Sequence, residues 1–292
     1  MRVFVTGATG GIGSAVVAEL LTAGHDVLGL ARSDASAARL EAAGGSVLRG
    51  DLAETATLRA GAEQADGVIH LAFGHDFTDF AGAIEQEGVA VRTLGEALVG
   101  TGKPLVIASG TPAVPGQITT EDTPGTGTTA GGRGLNAQHV LGLADHGVRS
   151  SVVRLPRSVH QAGVAFGFAG MLISAARRTG VSGIVGDGSQ RWPAVHRLDA
   201  ARLFRLALED AEPGTVLHAV GDVGDTMRSL AEAIGEVLGL PVAQVPAESF
   251  GFLGTIFAVD QPSSSALTRE RFGWQPTHPS LLADLATGDY PA

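Results

Sequence analysis

The stretch "TGATGGIG", Thr6–Gly13, decides the fold because it joins the β-branched run "RVFVT" to a helical segment that ends near Gly24. Gly7, Gly10 and Gly13 allow a tight turn, a close approach of the backbone to a pyrophosphate, and close packing of the helix on the strand. The helix N-terminus adds free N–H groups and partial positive charge. The pattern predicts a dinucleotide site, and an ordinary glycine-rich turn is the alternative. The predicted residues of this turn are Gly7, Thr9, Gly10, Gly11, Ile12 and Gly13.

Further apolar runs, separated by helical segments, follow the turn along the chain. They are "DVLGLAR", "SVLRGD", "GVIHLA", "PLVIAS" and "SSVVRLP". Near-continuous apolar strands that alternate with helices are typical of a parallel sheet covered on both faces. The pattern therefore predicts an α/β fold with a doubly wound parallel sheet. The segment 110–134 is rich in Gly, Thr and Pro, and we predict that it forms a functional, mobile flap.

The composition excludes several classes of protein. The chain has 292 residues and 44% hydrophobic residues, so it can form a sizeable core. No apolar run approaches the roughly 20 residues that span a bilayer, and the net charge of −10 argues against nucleic-acid binding. The absence of cysteine and of a signal-peptide pattern fits a cytoplasmic protein. We predict no metal site, because the nine histidines lack metal-ligand spacing.

The end of the second predicted strand suggests which cofactor is bound. An acidic residue usually contacts a free ribose 2′-hydroxyl at this position, but the chain has Arg32 and Ser33 there. An arginine fork suits a phosphate, which favours NADP(H) over NAD(H), and a solvated surface arginine is the alternative. Strand ends supply the remaining predicted cofactor contacts. These are Asp51 and Leu52 for the adenine, Leu71, Ala72 and Phe73 for the ribose and nicotinamide, and Ser109 and Pro156.

The ordered segments "TGATGGIG", "RGDL", "VIHLAF", "VIASG", "VVRLPRSVH", "GDGSQRWPAVHRLDAARL" and "TRERFGWQPT" resemble the extended short-chain dehydrogenase/reductases, which include NAD(P)-dependent epimerases and dehydratases. The resemblance implies a Rossmann domain, a smaller C-terminal substrate-binding lobe and a possible homodimer. We place the Rossmann domain at 1–156, with 194–222 returning to it, and the lobe at 157–193 and 223–292.

The same resemblance implies a catalytic serine, a Tyr-x-x-x-Lys pair and often an asparagine. Ser109 matches the serine, whereas Arg133 and Ala137 stand at the Tyr and Lys positions, and Glu87 aligns loosely with the asparagine. The chain has one tyrosine, Tyr290, and one lysine, far apart in sequence, so it is an atypical member without the Tyr/Lys pair. Arg133 stays protonated and cannot act as the acid, although it can hold an anionic substrate or a phosphate.

Three other residues are candidates for proton transfer: His75, Asp76 and His160, each with a surface or structurally bonded role as the alternative. An iminium substrate would accept hydride without any acid. Phenylalanines in segments expected near the cleft suggest a largely apolar small-molecule substrate, and ordinary core packing is the alternative. They are Phe73, Phe77, Phe80, Phe166, Phe168, Phe250, Phe252 and Phe257. The leading interpretation is an NADPH-dependent oxidoreductase that acts on a carbonyl or imine. The alternatives are a non-catalytic NADP(H)-binding sensor and, less favoured, a sugar-nucleotide epimerase or dehydratase.

Overall fold

The computed structural model of the chain describes residues 1–74, 79–125, 131–164, 167–251, 253–288 and 290. The strands are β1 (Arg2–Thr6), β2 (Asp26–Ala31), β3 (Ser46–Arg49), β4 (Gly67–His70), β5 (Pro104–Gly110), β6 (Arg149–Leu155), β7 (Ser158–His160), β8 (Ser182–Val185), β9 (Arg191–His196), β10 (Thr215–His218), β11 (Asp222–Thr226) and β12 (Val242–Val245). The helices are α1 (Gly13–Thr22), α2 (Asp34–Ala42), α3 (Thr55–Glu63), α4 (Phe80–Leu98), α5 (Gly131–Gly142), α6 (Gly167–Thr179), α7 (Arg197–Asp210), α8 (Met227–Leu238), α9 (Leu253–Phe257), α10 (Ala266–Phe272) and α11 (Leu281–Ala286). Among the described residues, short 3₁₀ helices cover Leu143–His146 and Ala247–Phe250.

The predicted doubly wound sheet is confirmed. Seven strands lie in the order β10-β6-β5-β4-β1-β2-β3, and the pairs that β1 forms with β2 and β4 are parallel. The chain moves outward from β1 in one direction as far as β3, then crosses to β4 on the other side. The carboxyl ends of β1 and β4 therefore lie side by side at the point where the order reverses, which is where ligands bind in such sheets.

The chain divides into two compact units. The first unit consists of Met1–Gly110, Ala130–Arg154 and Ala201–Leu217, and the second of Thr111–Thr129, Leu155–Ala200 and His218–Ala292. These bounds differ from the predicted domains, most of all at 111–129, which the prediction placed in the first domain. No helix in the described part of the chain is long and apolar enough to cross a membrane.

The core of the first unit forms where helices cover the sheet. Phe4 of β1 and Val68 of β4 are fully buried together with Leu94 of α4 and Val140 of α5. The β-strands supply near-continuous apolar runs, and each helix supplies one apolar stripe, so both faces of the sheet are shielded from water.

The second unit has its own core and two small sheets, ordered β11-β9-β7 and β12-β8. Trp192 on β9 is fully buried against Phe257, with the ring centroids 5.0 Å apart. Trp274, the other tryptophan of the chain, is also fully buried, and its indole N–H donates to the carbonyl of Asp199 at 3.0 Å. Both tryptophans therefore report on the interior of this unit.

Part of the segment 110–134, which was predicted to be a mobile flap, is packed into the second unit, and the prediction is corrected for residues 119–121. Thr119 is buried, and its hydroxyl lies 2.7 Å from the hydroxyl of Ser263. The buried Glu121 carboxylate accepts hydrogen bonds from the backbone N–H and the hydroxyl of Thr268, at 2.7 and 2.6 Å. These buried polar contacts anchor the segment within the second unit.

Candidate nucleotide-binding and reaction site

The glycine turn after β1 has the backbone geometry that the sequence predicts. Gly7 has φ +68°, and a Cβ there would lie 2.7 Å from the backbone nitrogen of Ala72. A Cβ on Gly13 would lie only 1.9 Å from the carbonyl oxygen of Gly7. Glycine is therefore required at both positions, once for the backbone conformation and once for the close approach of α1 to the turn.

A cleft of about 890 Å³ opens in the first unit at the carboxyl ends of β1, β2 and β4. Its lining residues are Gly7, Thr9, Gly10, Leu30, Arg32, Ser33, Ser36, Arg39, Gly50, Asp51, Leu52, Leu71, Ala72, Phe73, Gly74 and Gln86. The volume lies in the range of cofactor and ligand sites. Most of the predicted cofactor residues are among these. Gly11, Ile12, Gly13, Ser109 and Pro156 are not.

The β2 end of the cleft carries two arginines. Arg32 follows β2 and Arg39 lies on α2, and both side chains line the cleft. The Ser33 hydroxyl accepts a hydrogen bond from the backbone N–H of Ser36 and thereby caps α2. Arg39 is not among the residues predicted from the sequence, although it lies on the helix that Ser33 caps. Asp51 is the single acidic residue among the described residues that line the cleft.

Beside the cleft, Arg133 is held by a buried carboxylate. Its Nε and Nη2 donate to Glu87 Oε1 at 2.9 and 2.7 Å, and Nη2 also donates to the carbonyl of Ala108 at 3.1 Å. The Glu87 side chain is 2% exposed and that of Arg133 is 21% exposed. Arg133 Cζ lies 4.2 Å from the centroid of the Phe73 ring, and Phe73 lines the cleft. The expectation that Arg133 holds an anionic substrate or phosphate therefore needs correction, because its carboxylate partner is Glu87.

The residues near the positions where the resemblance implies Tyr and Lys either bind the Arg133–Glu87 pair or are buried in the first unit. Asn136 Nδ2 donates to Glu87 Oε2 at 3.0 Å and to the carbonyl of Ile84 at 3.1 Å. Ala137 is buried in the hydrophobic core of the first unit. Ser109 is buried at the end of β5, directly after the residue whose carbonyl Arg133 binds. The structure therefore has a cluster of Arg133, Glu87 and Asn136 in the place where the resemblance implies the Tyr/Lys pair. We call this place the reaction end of the site.

A buried histidine lies behind this cluster. His70 Nδ1 is 2.8 Å from the hydroxyl of Thr6, and that hydroxyl accepts a hydrogen bond from the N–H of Ala72 at 3.3 Å. Burial lowers the pKa of His70 to about 4, while the charge of Glu87 acts in the opposite direction and that of Arg133 lowers the pKa further. His70 is therefore neutral at pH 7, and its Nε2 has no hydrogen-bond partner among the described residues.

His160, a predicted proton donor, lies in the interior of the second unit in a row of histidines and aspartates. Its Nδ1 is 2.7 Å from Asp284 Oδ2. His160 is therefore structurally bonded, which was the alternative to its predicted role in proton transfer. The rings of His160 and His196 meet edge to face, and those of His196 and His278 stack 4.5 Å apart. Burial lowers the pKa of His196 to about 4, with His278 acting in the same direction and Asp284 against it.

Ligand atoms of His196, Asp199 and His278 lie within 4.8 Å of one another. However, the stacked rings hold their nitrogen lone pairs in two separate, nearly parallel planes, and Asp199 Oδ1 already lies 2.9 Å from His278 Nδ1. The arrangement is a hydrogen-bonded stack, and its geometry does not converge on a cation.

Several predicted residues lie outside the described part of the chain. His75 and Asp76, the two remaining proton-transfer candidates, are among them, as are Phe77, Phe166 and Phe252. Among the described phenylalanines, Phe257 is in the core of the second unit, and Phe168 and Phe250 pack against it. Phe73 lines the cleft. The aromatic contribution to the described cleft is thus smaller than the sequence suggested.

Comparison with protein families and sequences finds close relatives of the whole chain. Residues 3–137 match the model of the NAD dependent epimerase/dehydratase family. The uncharacterized protein C2A9.02 of Schizosaccharomyces pombe is 45% identical over 99% of this chain and 100% of its own length. The uncharacterized protein YLL056C of Saccharomyces cerevisiae is 44% identical over 98% of each chain.

Solved structures with a similar fold have lower sequence identity. MoeE5 in complex with UDP-glucose and NAD has a TM-score of 0.75 and 24% identity, and the match covers 99% of this chain and 97% of that one. DesIV, a dTDP-glucose 4,6-dehydratase from Streptomyces venezuelae with NAD bound, has a TM-score of 0.81 and 21% identity, and the match covers 99% and 96% of the two chains. At such identities the likeness shows the fold.

Proposed function

Because the chain belongs to the NAD dependent epimerase/dehydratase family, we propose that it is an NADP(H)-dependent oxidoreductase acting on a small, mainly apolar carbonyl or imine compound. The observation that carries this proposal is the cleft of about 890 Å³ at the glycine turn, which has Arg32 and Arg39 at the β2 end and Phe73 near Arg133.

The residues of the first unit fit a nicotinamide dinucleotide. The turn at Gly7 and Gly10 exposes backbone to the cleft without side chains, as binding of a pyrophosphate requires. Asp51 and Leu52 line the cleft where an adenine would need a hydrogen-bond acceptor and an apolar contact. MoeE5 and DesIV were solved with NAD, and their shared fold supports the same class of cofactor here.

The charges at the end of β2 favour a phosphorylated ribose. Arg32 and Arg39 line the cleft together, and a phosphate can accept charge-assisted hydrogen bonds from both guanidinium groups. The nearby Asp34 carboxylate is bound by Arg49 at 2.7 Å and does not line the cleft. A carboxylate that would select a free 2′-hydroxyl is therefore missing from the described lining at this end.

We expect Arg32→Glu and Arg39→Gln to weaken NADPH binding by about 10- to 100-fold each, because each removes charge-assisted hydrogen bonds worth about 1.5 to 3 kcal/mol. NADH binding should change by less than about threefold, since NADH has no 2′-phosphate for these groups. Fluorescence titration of both nucleotides measures the effect. Arg49→Gln is the matched control, because Arg49 pairs with Asp34 outside the cleft. Equal NADPH and NADH affinities in the parent protein would contradict the assignment.

At the reaction end, the protein can orient and polarise a substrate but offers no acid in the Arg133 cluster. When bound, the cofactor supplies hydride. Arg133 is fixed by Glu87 and the carbonyl of Ala108, while its Nη1 forms no hydrogen bond with any described residue. We infer that Nη1 donates a hydrogen bond to the substrate oxygen or nitrogen. A guanidinium does not give up its proton, so the reduction of a carbonyl or neutral imine held by Nη1 takes its proton from water. An iminium would need no proton, but its nitrogen has no lone pair and would not accept this hydrogen bond.

Turnover tests the proposal against its rival. We expect NADPH oxidation with some member of a panel of cyclic imines and apolar ketones, and a roughly tenfold lower kcat for Ser109→Ala if its hydroxyl helps to polarise the substrate. A non-catalytic NADP(H)-binding sensor is the second candidate, because Glu87 already neutralises Arg133 and Ala137 is buried in the core. Tight NADPH binding without turnover of any panel member would favour the sensor.

A further inference from the structure

The second unit contains a separate cavity of about 520 Å³ between α6 and the segment 249–257. It is lined by Gly167, Gly170, Met171, Ser174, Ala175, Arg178, Ser249, Phe250, Gly251, Leu253 and Phe257. We infer that this cavity binds a small amphipathic carboxylate, with the apolar body against the aromatic wall and the carboxylate at Arg178. All the lining residues belong to the second unit, so the inference does not depend on the nucleotide site.

One face of α6 forms the first wall. Gly167, Gly170, Ser174 and Arg178 recur every three or four residues and therefore lie along the same side of the helix. The small residues leave room that longer side chains would fill, and the guanidinium stands at the last turn. At the start of the helix, Gly167 has φ +72°, and a Cβ there would lie 2.9 Å from the carbonyl oxygen of Val159. The backbone conformation therefore requires glycine, which has no side chain, at the first position of this face.

Aromatic side chains that are held by the core form the opposite wall. The half-buried Phe250 ring is the aromatic surface that a ligand can reach. It rests edge to face on Phe257, which is 1% exposed and supports it from the core, with centroids 5.1 Å apart. Phe257 also packs on the buried Trp192. Leu253 continues the apolar surface. A wall fixed in this way is preformed, and the cavity volume lies within the range of small-molecule sites.

The charge of the cavity selects the polar end of the ligand. Arg178 is the only charged residue in the list of described lining residues, and it forms no ion pair within the described part of the chain. A single guanidinium matches one carboxylate through two parallel hydrogen bonds. The apolar side chains of the lining, Met171, Phe250 and Leu253, match an alkyl or aryl body.

Isothermal titration of the full chain with decanoate and decan-1-ol, without nucleotide, tests the inference. We expect decanoate to bind, and Arg178→Gln to weaken its binding about tenfold while leaving decanol binding unchanged, because only the charge-assisted bond is lost. Ser174→Trp should abolish binding of both probes, because Ser174 is exposed on the cavity wall and an indole there fills the groove.

Arg271→Gln is the matched control, because it removes the same charge from an exposed position at the end of α10 in the same unit. It should leave both affinities unchanged. Thermal melting establishes that each variant is folded. The inference is overturned if decanoate does not bind the parent protein, or if Arg178→Gln and Arg271→Gln weaken decanoate binding equally. It is also overturned if Ser174→Trp binds both probes like the parent.

Discussion

Replacing Arg133 with methionine is expected to lower the free energy of unfolding by about 3 to 5 kcal/mol, because it leaves a buried carboxylate without its cation. Glu87 is 2% exposed, and in the variant Asn136 would be its one remaining side-chain partner among the described residues. Urea denaturation at pH 7 measures the loss. Glu87→Gln is expected to cost less, since the Arg133 side chain is 21% exposed and can be hydrated in part.

The double variant Glu87→Leu/Arg133→Met shows whether the loss comes from the unpaired charge. Buried ion pairs that are replaced by apolar residues of similar volume often leave stability close to that of the parent. We therefore expect the double variant to recover most of the loss seen in Arg133→Met. Losses that simply add in the double variant would contradict the assignment of the pair as a coupled unit. The same variant should retain NADPH binding, because neither residue lines the described cleft.

Acidification from pH 6.5 to pH 4 is expected to destabilise the protein by on the order of 3 kcal/mol for each of two histidines. The pKa of His70 and that of His196 are both lowered by burial, to about 4 in the folded state, against 6.5 for an unperturbed histidine. The unfolded chain therefore binds more protons within this window. The stability is fully present above about pH 6.5 and is lost as the pH falls toward 4. Denaturant titrations at several pH values measure the slope.

His70→Asn removes the first of these titrating groups and keeps a side chain that can hydrogen-bond Thr6. The variant should lose less stability than the parent over the same pH window, whatever its stability at pH 7. His139→Asn is the control, since His139 is exposed on α5 and its replacement should leave the slope unchanged. If His70→Asn and the parent show the same slope, His70 is not a source of the acid sensitivity.

The parts of the fold that local pattern determines were predictable from the sequence. Strands β1 to β6 are short apolar runs, and the turn at Gly7 requires glycine for reasons of backbone geometry alone. The strands of the second unit were harder to recognise. Strand β8 has four residues and pairs with β12, about sixty residues later in the chain, so its formation depends on distant contacts that periodicity does not show.

The Arg133–Glu87 pair was not predicted, although both residues were singled out. The two residues are 46 positions apart, and nothing local indicates that the side chains meet. One signal was present, because Glu87 falls on the apolar stripe of α4, between Ile84 and Val91. A charged residue on the buried face of a helix needs a partner. Likewise, Arg39 would have been found by following α2 one further turn along the side that faces the end of β2.

The burial of both tryptophans in the second unit has an optical consequence. Trp192 and Trp274 are the only indoles in the chain, so fluorescence excited selectively in indole contains no signal from the nucleotide-binding half. Circular dichroism, in contrast, reads the helices of both halves. If the two units unfold at different temperatures, the fluorescence and circular-dichroism melting curves will diverge. Their difference will report the unfolding of the first unit, which contains no tryptophan.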